Sequence, residues 1–591
     1  MPFIFWYTLV IFILMIIFII HEIIETEIVM FSAVILFIVG KVITVEQAFI
    51  GFSNVGMLTI GLLFVIAGAL HYSGAIAQLS KFIFGTNQSS IIKKLFRLLF
   101  PVAAISAFMN NTPIVAILIP AIRSWSERTH FSASKFLIPV SYAAILGGMC
   151  TLIGTSTNLI IYGLMIDFGM EGMGLFEISK VGIPIAIMGL LYIVFIGYRS
   201  LPEHKESFTM IEEKTREFVL QLKITKSYPH IGKSIEEAGL RHLQGLFLFQ
   251  IQRNKQIIAP TRPTHKLKLG DRLFFTGLPK TILELQKTPG LELLKDSTFD
   301  LKQYDASMVR PYEAVISASS PLIGKNVRNS KFRENYNAVI IAIHRNGTRI
   351  KKKIGDIILQ GGDTLLLLAE QDFYKQWYAS NDFYLISQSE VVPSKPKWQL
   401  FVAVASLALL LFLMIFKLLP MIAAAGIAVI LVIATRTLSS FEIRQSIDFR
   451  VLVIIASAFG IAEGLRNSGV AEFIAQAIVY LGHSYGSIGV VAGIFLVTSL
   501  LTNFMTNNAT AAIVFPITFA AAQQINADPR PFIIALAIAA SASFATPISY
   551  QTNLMVYGPG GYTFKDFFKI GFPMQIFVMV IAVILIKFFY F

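Results

Sequence analysis

Phe108-Met-Asn-Asn-Thr112 and Phe504-Met-Thr-Asn-Asn508 decide how this chain is read. Each is a polar tip inside an apolar run, Phe100–Ile122 and Ile494–Ala521, and each is followed eight residues later by a proline, Pro120 and Pro516. The two tips lie 396 residues apart, and self-similarity at a fixed spacing settles architecture before local propensity does. The match extends outward from them. Apolar spans Phe3–Ile20 and Leu400–Phe416 correspond, as do Val45-Glu46 and Phe441-Glu442, and Thr157-Asn158 and Thr552-Asn553. Lys180-Val-Gly-Ile-Pro184 meets Lys569-Ile-Gly-Phe-Pro573.

The composition says what medium these repeats occupy. Of 591 residues, 55% are hydrophobic and 14% charged, with a mean hydropathy of +0.68, which is a membrane composition. Spans long enough for a bilayer fall near Phe3–Ile20, Ile28–Ile43, Val55–Tyr72, Phe136–Met165 and Val181–Tyr198. A second set falls near Leu400–Phe416, Met421–Thr435, Val451–Ala462, Phe532–Tyr557 and Phe572–Phe589. Phe136–Met165 and Phe532–Tyr557 are too long for simple helices, and each contains a Gly-, Ser-, Thr- or Pro-rich interruption. The single cysteine, Cys150, excludes intramolecular disulfides and cysteine-based metal clusters. Met1–Ile20 has no basic n-region and no small-residue cleavage site, so it is expected to be a retained helix.

Loop charges set the orientation. Lys81, Lys93, Lys94 and Arg97 precede the first polar tip, and Arg123, Arg128 and Lys135 follow it. Basic residues on both flanks predict a re-entrant hairpin that enters and leaves on the cytoplasmic side. Asp167, Glu171 and Glu177 mark the outside, whereas Arg199, Arg436, Arg444, Arg450, Lys565 and Lys569 mark the inside. Ten crossings plus two hairpins satisfy these charges, an eleventh crossing is compatible with them, and both termini are then outside. Each half has an odd number of crossings, so the halves are expected to be inverted repeats, the plan of secondary transporters with a midplane site. The fold class is a polytopic α-helical membrane protein. Residues 1–200 and 398–591 form the membrane repeats.

Residues 201–397 are polar, and they too repeat, at an offset of 92. Ile231-Gly-Lys233 matches Ile323-Gly-Lys325, Arg253-Asn254 matches Arg345-Asn346, and Gly270-Asp271 matches Gly362-Asp363. Alternating patterns over Phe218–Ile224 and Gly245–Gln252 predict strands, and Gly-Asp reads as the turn into a buried one. The two units, 201–300 and 301–397, resemble TrkA-C modules, the ligand-binding part of RCK domains, which implies either a dimerising scaffold or a sensor of a nucleotide or cyclic dinucleotide. No Gly-x-Gly-x-x-Gly fingerprint is present, and nothing resembles a catalytic triad or a phosphate-binding loop, so neither an enzyme nor an organic cofactor is implied. Residues 199–397 hold 31 Lys and Arg against 21 Asp and Glu, most of the net +14. On a membrane protein this is the positive-inside excess, not a nucleic-acid surface.

The hairpin tips and the two interruptions, Gly154-Thr-Ser-Thr-Asn158 and Ser549-Tyr-Gln-Thr-Asn553, are four polar stretches without one Arg, Lys, Asp or Glu. Polar groups at membrane depth are costly unless satisfied or functional. Helix starts favour an anion, while carbonyl, amide and hydroxyl oxygens suit a hard cation. An anion held this way without a basic side chain needs bound cations to balance it, which points to sodium coupling. Proton coupling wants an intramembrane carboxylate, and Asp448 and Glu463 are expected at span ends.

These motifs, with the run Tyr550-Gln-Thr-Asn-Leu-Met-Val-Tyr-Gly-Pro-Gly-Gly-Tyr562, resemble the divalent anion:sodium symporter family, and the inserted modules resemble its sulfate-transporter-like branch. The resemblance implies a homodimeric elevator in a bacterial inner membrane, with residues 201–397 cytoplasmic. It implies one sodium site at Ser106, Asn110, Asn111 and Gly154, and another at Thr502, Met505 (through its carbonyl), Asn507 and Ser549. It places Thr112, Thr155, Ser156, Asn508, Tyr550 and Gln551 against the anion. Asn110, Asn111, Thr506, Asn507 and Thr552 complete the substrate-binding set. The dicarboxylate members carry Thr-Pro-Pro-Asn where this chain has Thr-Ser-Thr-Asn and Tyr-Gln-Thr-Asn, leaving a hydroxyl-rich pocket suited to a tetrahedral oxyanion such as sulfate. A dicarboxylate symporter, a metalloid-oxyanion exporter and a membrane sensor are the alternatives.

Overall fold

The computed structural model describes residues 3–591 except 22–23, 75–89, 128, 130, 204–218, 241–245, 255, 259–260, 278–287, 295–308, 318–319, 346–347, 351, 353, 371, 378–379, 381, 387–395 and 417. Of the residues used above, Lys81, Arg128, Phe218, Gly245 and Asn346 lie outside the described residues. The first membrane set is α1 (Phe3–Ile20), α2 (Thr26–Val39), α3 (Val45–Phe49), α4 (Val55–Tyr72), α5 (Ile91–Ser106), α6 (Asn111–Glu127), α7 (Leu137–Gly148), α8 (Ser156–Asp167) and α9 (Ser179–Tyr192). The second is α10 (Lys397–Ile415), α11 (Met421–Ala434), α12 (Ser440–Ser446), α13 (Phe449–Ser468), α14 (Val470–Gly482), α15 (Gly486–Leu501), α16 (Asn507–Gln524), α17 (Pro529–Ser541), α18 (Gln551–Tyr557) and α19 (Phe564–Tyr590). Among the described residues, five segments are long and apolar enough to cross a membrane: Phe3–Ile20, Val45–Tyr72, Ser179–Ser200, Lys397–Ile415 and Phe564–Tyr590.

The two sets run in the same order, and matching positions use the same local devices. Thr44 and Gln47 form a capping box that starts α3, and Ser439 and Glu442 form the matching box at α12. Asn54 caps α4 and Asp448 caps α13, each accepting backbone N–H groups of the first turn. Asp448 is therefore occupied as a helix cap. Glu463 differs from expectation. The helix predicted over Val451–Ala462 runs to Ser468, because its polar end (Glu463, Arg466, Asn467) still has helical propensity and ends at Gly469 in the left-handed conformation. Glu463 thus lies within α13 and pairs with Arg466 at 2.8 Å, while Gln47 Nε2 donates to it at 3.0 Å. Helix α14 was not anticipated at all.

Each polar tip joins two helices. In the first, α5 (16 residues) and α6 (17 residues) flank residues 107–110, and in the second, α15 and α16 flank residues 502–506. Sixteen residues span about 24 Å, short of a bilayer core of about 30 Å. Both long apolar stretches break where the sequence turns polar, between α7 and α8 and between α17 and α18. The Lys-x-Gly-x-Pro motifs have a packing reason. A Cβ on Gly182 of α9 would stand 2.4 Å from the Met149 carbonyl, and one on Gly571 of α19 would stand 1.9 Å from the Phe544 carbonyl. Both glycines let a flanking helix touch the backbone of its break. Tyr142 of α7, fully buried, donates to the Phe544 carbonyl at 2.6 Å and packs edge-on against its ring, so the first half props the break of the second.

The insertion folds as two antiparallel sheets of one topology. The first comprises β1 (Val219–Ile224), β2 (Leu246–Arg253), β3 (Gln256–Ile258), β4 (Arg272–Gly277) and β5 (Leu291–Leu293), ordered β3-β2-β4-β1-β5. The second comprises β6 (Val309–Ile316), β7 (Ala338–Arg345), β8 (Thr348–Arg349), β9 (Thr364–Glu370) and β10 (Phe383–Ile386), ordered β8-β7-β9-β6-β10. The repeated Arg and Gly-Asp residues form equivalent forked ion pairs, Arg253 with Asp271 (2.9 and 2.8 Å) and Arg345 with Asp363 (2.7 and 2.8 Å). Each fixes the turn entering a buried strand, β4 or β9.

Candidate functional site

Two oxygen-rich clusters sit at equivalent places beneath the tips. Ser106 Oγ, at the end of α5, stands 2.6 Å from Asn111 Oδ1 and 2.8 Å from the Ala144 carbonyl. Ser106 and Asn111 are buried, and one hydroxyl proton faces two acceptors. A Cβ on Gly148 would lie 2.8 Å from Asn111 Oδ1 and 3.3 Å from the Gly154 carbonyl. A Cβ on Gly154 would lie 2.6 Å from the Gly148 carbonyl and 2.9 Å from that of Ala107. Only hydrogen at these two positions leaves room for so many oxygens.

The second cluster repeats the pattern. Thr502 Oγ1 is 2.9 Å from both Asn507 Oδ1 and the Ala540 carbonyl and 3.0 Å from Ser543 Oγ, which is itself 3.0 Å from Asn507 Oδ1. Asn507 Nδ2 is buried and has no hydrogen-bond partner among the described residues. Oxygen-only ligand sets of this kind suit hard cations, and the residues present fit one. Ser543 was missed by sequence reasoning. It lies in an Ala-Ser-Ala-Ser run (540–543) that reads as plain helix, and its counterpart in the first half is a glycine.

The clusters are joined across the two halves by the helix starts. Asn111 Nδ2 donates to Tyr550 Oη at 2.6 Å, and Tyr550 also bonds Thr155. Thr112 Oγ1 donates to Gln551 Oε1 at 3.0 Å. Ser156 Oγ and Thr157 Oγ1 both face Asn508 Oδ1, at 3.0 and 3.1 Å. The first tip is thus bonded to the second break, and the second tip to the first break. The N-terminal ends of α6, α8 and α16 offer first-turn N–H groups and positive dipole ends, and their first turns carry no charged side chain. Asn158 and Asn553 hold the breaks themselves: Asn158 Nδ2 donates to the Thr151 carbonyl at 2.9 Å, and Asn553 Nδ2 to those of Ser543 and Thr546 at 3.0 and 3.3 Å.

The remaining candidates are placed as follows. Asn110, Thr155 and Ser156 line a cavity of about 40 Å³ against Leu63, Leu70 and Leu407. Thr506 is the N-cap of α16, accepting from Ala509 N at 3.3 Å. Met505 is buried. Ser549 Oγ donates to the Thr546 carbonyl at 3.0 Å, within its own break, so it is Ser543 and not Ser549 whose hydroxyl joins Thr502 and Asn507. Thr552 is fully buried and accepts from Ser141 of α7 at 2.8 Å. That bond engages its hydroxyl in holding α18 to α7. Among the described residues, no three His, Cys, Asp or Glu side chains gather as a metal site.

Comparison with known proteins identifies the family. The citrate transporter family model (CitMHS) matches residues 15–539 and 504–591. A Chlamydomonas reinhardtii protein named "Putative sulfur deprivation response regulator" is 35% identical over 95% of this chain and 98% of its own length. An uncharacterized transporter of Synechocystis is 30% identical over 94% of this chain and 92% of its own. Sodium/sulfate cotransporter 1 of Chlamydomonas reinhardtii is 25% identical over 92% and 85%. The chain belongs to the CitMHS citrate transporter family, a family of membrane transporters and not of enzymes.

Proposed function

We propose that this chain is a sodium-coupled symporter of a divalent oxyanion, sulfate foremost. Its two membrane repeats would be related by inversion and would work as a homodimeric elevator in a bacterial inner membrane. One observation carries the reading: two equivalent oxygen clusters, Ser106/Asn111/Ala144 and Thr502/Asn507/Ala540/Ser543, flank helix starts that meet with no charged side chain among them. Sodium ions in the clusters and the N–H groups of α6, α8 and α16 would together offset two negative charges. Ser106, Asn111 and Gly154 hold the first ion. Thr502, Asn507 and Ser543 hold the second, with the Met505 carbonyl. Thr112, Thr155, Ser156, Asn508, Tyr550 and Gln551 face the anion. The name of the sodium/sulfate cotransporter relative supports both ion and anion.

The soluble pair is read as tandem TrkA-C modules on the cytoplasmic side, taking a nucleotide-like ligand or pairing two copies. A sensor function is the second reading, favoured by the relative named for the sulfur deprivation response. The test is uptake of labelled sulfate into proteoliposomes under a sodium gradient, with choline as control and citrate, a dicarboxylate and arsenate as competitors. Sodium-dependent uptake blocked by excess cold sulfate is expected. Sulfate binding with no flux would replace the transporter reading with the sensor. Flux blocked only by citrate or a dicarboxylate would replace the oxyanion.

A further inference from the structure

The two soluble units share a topology, yet they differ on one face. On β6 of the second unit, Glu313 accepts a 2.6 Å charged hydrogen bond from Arg123 of α6, and the two side chains are only 4% and 9% exposed. Val315, two residues on, is fully buried in the same apolar cluster as the membrane helices. The turn into β9 reaches α18. A Cβ on Gly362 would lie 2.8 Å from Leu554 Cδ1, and one on Gly558, just past α18, would lie 3.2 Å from the Gly362 carbonyl and 3.6 Å from Thr364 Cβ.

The 92-residue repeat supplies an internal control. Where the second unit has Glu313, Val315, Gly362 and Thr364, the first has Gln221, Lys223, Gly270 and Arg272. Lys223 and Arg272 are exposed, and nothing lies within 4 Å of a Cβ built on Gly270. The shared fold therefore does not require Glu313, Val315 or Thr364; a docked surface does. Burying a carboxylate and a guanidinium is unfavourable unless each has its partner, and here each partner belongs to a different domain.

The helices so engaged are those that carry half of the candidate site. α6 begins at Asn111 and Thr112, and α18 begins at Gln551, which bonds Thr112. Resting on the transporter reading above, we infer that the second soluble unit is fastened to α6 and α18 and moves with them as one body through the transport cycle. The Arg123–Glu313 pair is the strut, and whatever binds the second unit acts on the first tip and the second break directly, not through the intervening linkers.

The test uses the full-length double variant T364C/G558C, with buried Cys150 left in place. The 3.6 Å between the two β-carbon positions lies within disulfide range, about 3.5–4.5 Å. Oxidation is expected to close the bond, read by mass spectrometry, and to leave sodium-driven sulfate uptake within about twofold of the reduced protein, since a tenfold loss would mean about 1.4 kcal/mol. Uptake that is lost on oxidation and recovered on reduction would show that the unit must leave α18 during the cycle, and would overturn the inference. So would failure of the bond to form in folded protein. A third readout is independent of flux: disulfide yield with sodium and sulfate together should equal the yield with neither, and a fall on adding the ions refutes a single body. Absence of uptake in the unmodified protein would sink the proposed transport and leave the yield to decide the docking.

Discussion

Replacing Asn507 by Ala and Asn111 by Ala should affect cation binding similarly and anion binding differently. Both side chains place Oδ1 in an oxygen cluster, against Thr502 and Ser543 (2.9 and 3.0 Å) in one and Ser106 (2.6 Å) in the other. Their amide nitrogens differ. Asn507 Nδ2 has no partner among the described residues, whereas Asn111 Nδ2 donates to Tyr550 across the two halves at 2.6 Å. Losing a charge-assisted contact costs about 1.5–3 kcal/mol, and 1.4 kcal/mol is tenfold, so each variant should raise the sodium concentration for half-maximal uptake by about 10- to 150-fold. N111A also loses a neutral hydrogen bond worth about 1 kcal/mol, and it frees Tyr550 at the start of α18. Its sulfate affinity at saturating sodium should therefore fall about fivefold, while that of N507A stays near wild type. The assay is initial-rate uptake in proteoliposomes over a grid of sodium and sulfate concentrations, with thermal unfolding as a check on folding. Unchanged sodium dependence in both variants would show that the clusters are ordinary helix–helix bonding.

Four further outcomes are expected. Gly154→Ala sets a methyl 2.6 Å and 2.9 Å from two backbone carbonyls that have no rotamer to escape into; overpacking of about 1–3 kcal/mol should cut sodium affinity about tenfold or more, read in the same grid. Ser543→Ala removes a hydroxyl within 3.0 Å of both Thr502 and Asn507 but keeps the carbonyl that Asn553 holds, so sodium affinity should fall about tenfold with thermal stability near wild type. Arg123→Met and Glu313→Leu each strand a buried charge at a cost of about 3–5 kcal/mol, and the double variant should recover much of the lost stability in a denaturation series; a double variant no better than either single refutes the strut. Burial raises the Glu177 carboxyl, but the hydrogen bond from Arg530, the Gly174 N–H and the charges of Arg530 and Lys180 outweigh it and hold its pKa below the ordinary value. Its stabilisation is thus complete above the unfolded glutamate range, about 4.3, and is lost as pH falls below it; the gap in melting temperature between wild type and Arg530→Gln should narrow from pH 6 to pH 3.

Periodicity made the membrane helices legible, and repetition made the candidate site legible, because the tip and the break each occur twice. Asn111, Thr112, Ser156, Asn508, Tyr550 and Gln551 were all named from motif position, and they make the hydrogen bonds that join the halves. Less was visible where a residue acts through geometry that its neighbours do not announce. Ser543 sits among alanines, and its role depends on the break after α17 that brings it beneath Asn507. Thr552 matched a motif, but helical phase turns it toward Ser141. Helix α14 follows α13 after a single glycine and merges with it in any hydropathy window. The Arg123–Glu313 contact joins residues 190 positions apart in different domains, and no local pattern signals such a pair.

Within the proposed function, the two oxygen clusters are alike in plan and unequal in composition, and the inequality bears on how a dianion could be held. The first offers one hydroxyl, one amide oxygen and backbone carbonyls crowded around Gly148 and Gly154; the second offers two hydroxyls, because Ser543 stands where the first half has glycine. A side-chain hydroxyl can turn its lone pairs to a cation or its proton to a neighbour, whereas a carbonyl can only accept. The two protons of the second cluster, on Thr502 and Ser543, face three acceptors, the Ala540 carbonyl, Asn507 Oδ1 and the Thr502 carbonyl. The single Ser106 proton of the first faces two acceptors, so in both clusters the acceptors outnumber the hydroxyl protons by one. An oxygen cluster short of protons at membrane depth gains from a cation. A cation held by Asn111 Oδ1 in the first cluster would also fix the amide that donates to Tyr550, and so would link the first ion, through the start of α18, to the anion pocket that the second ion completes.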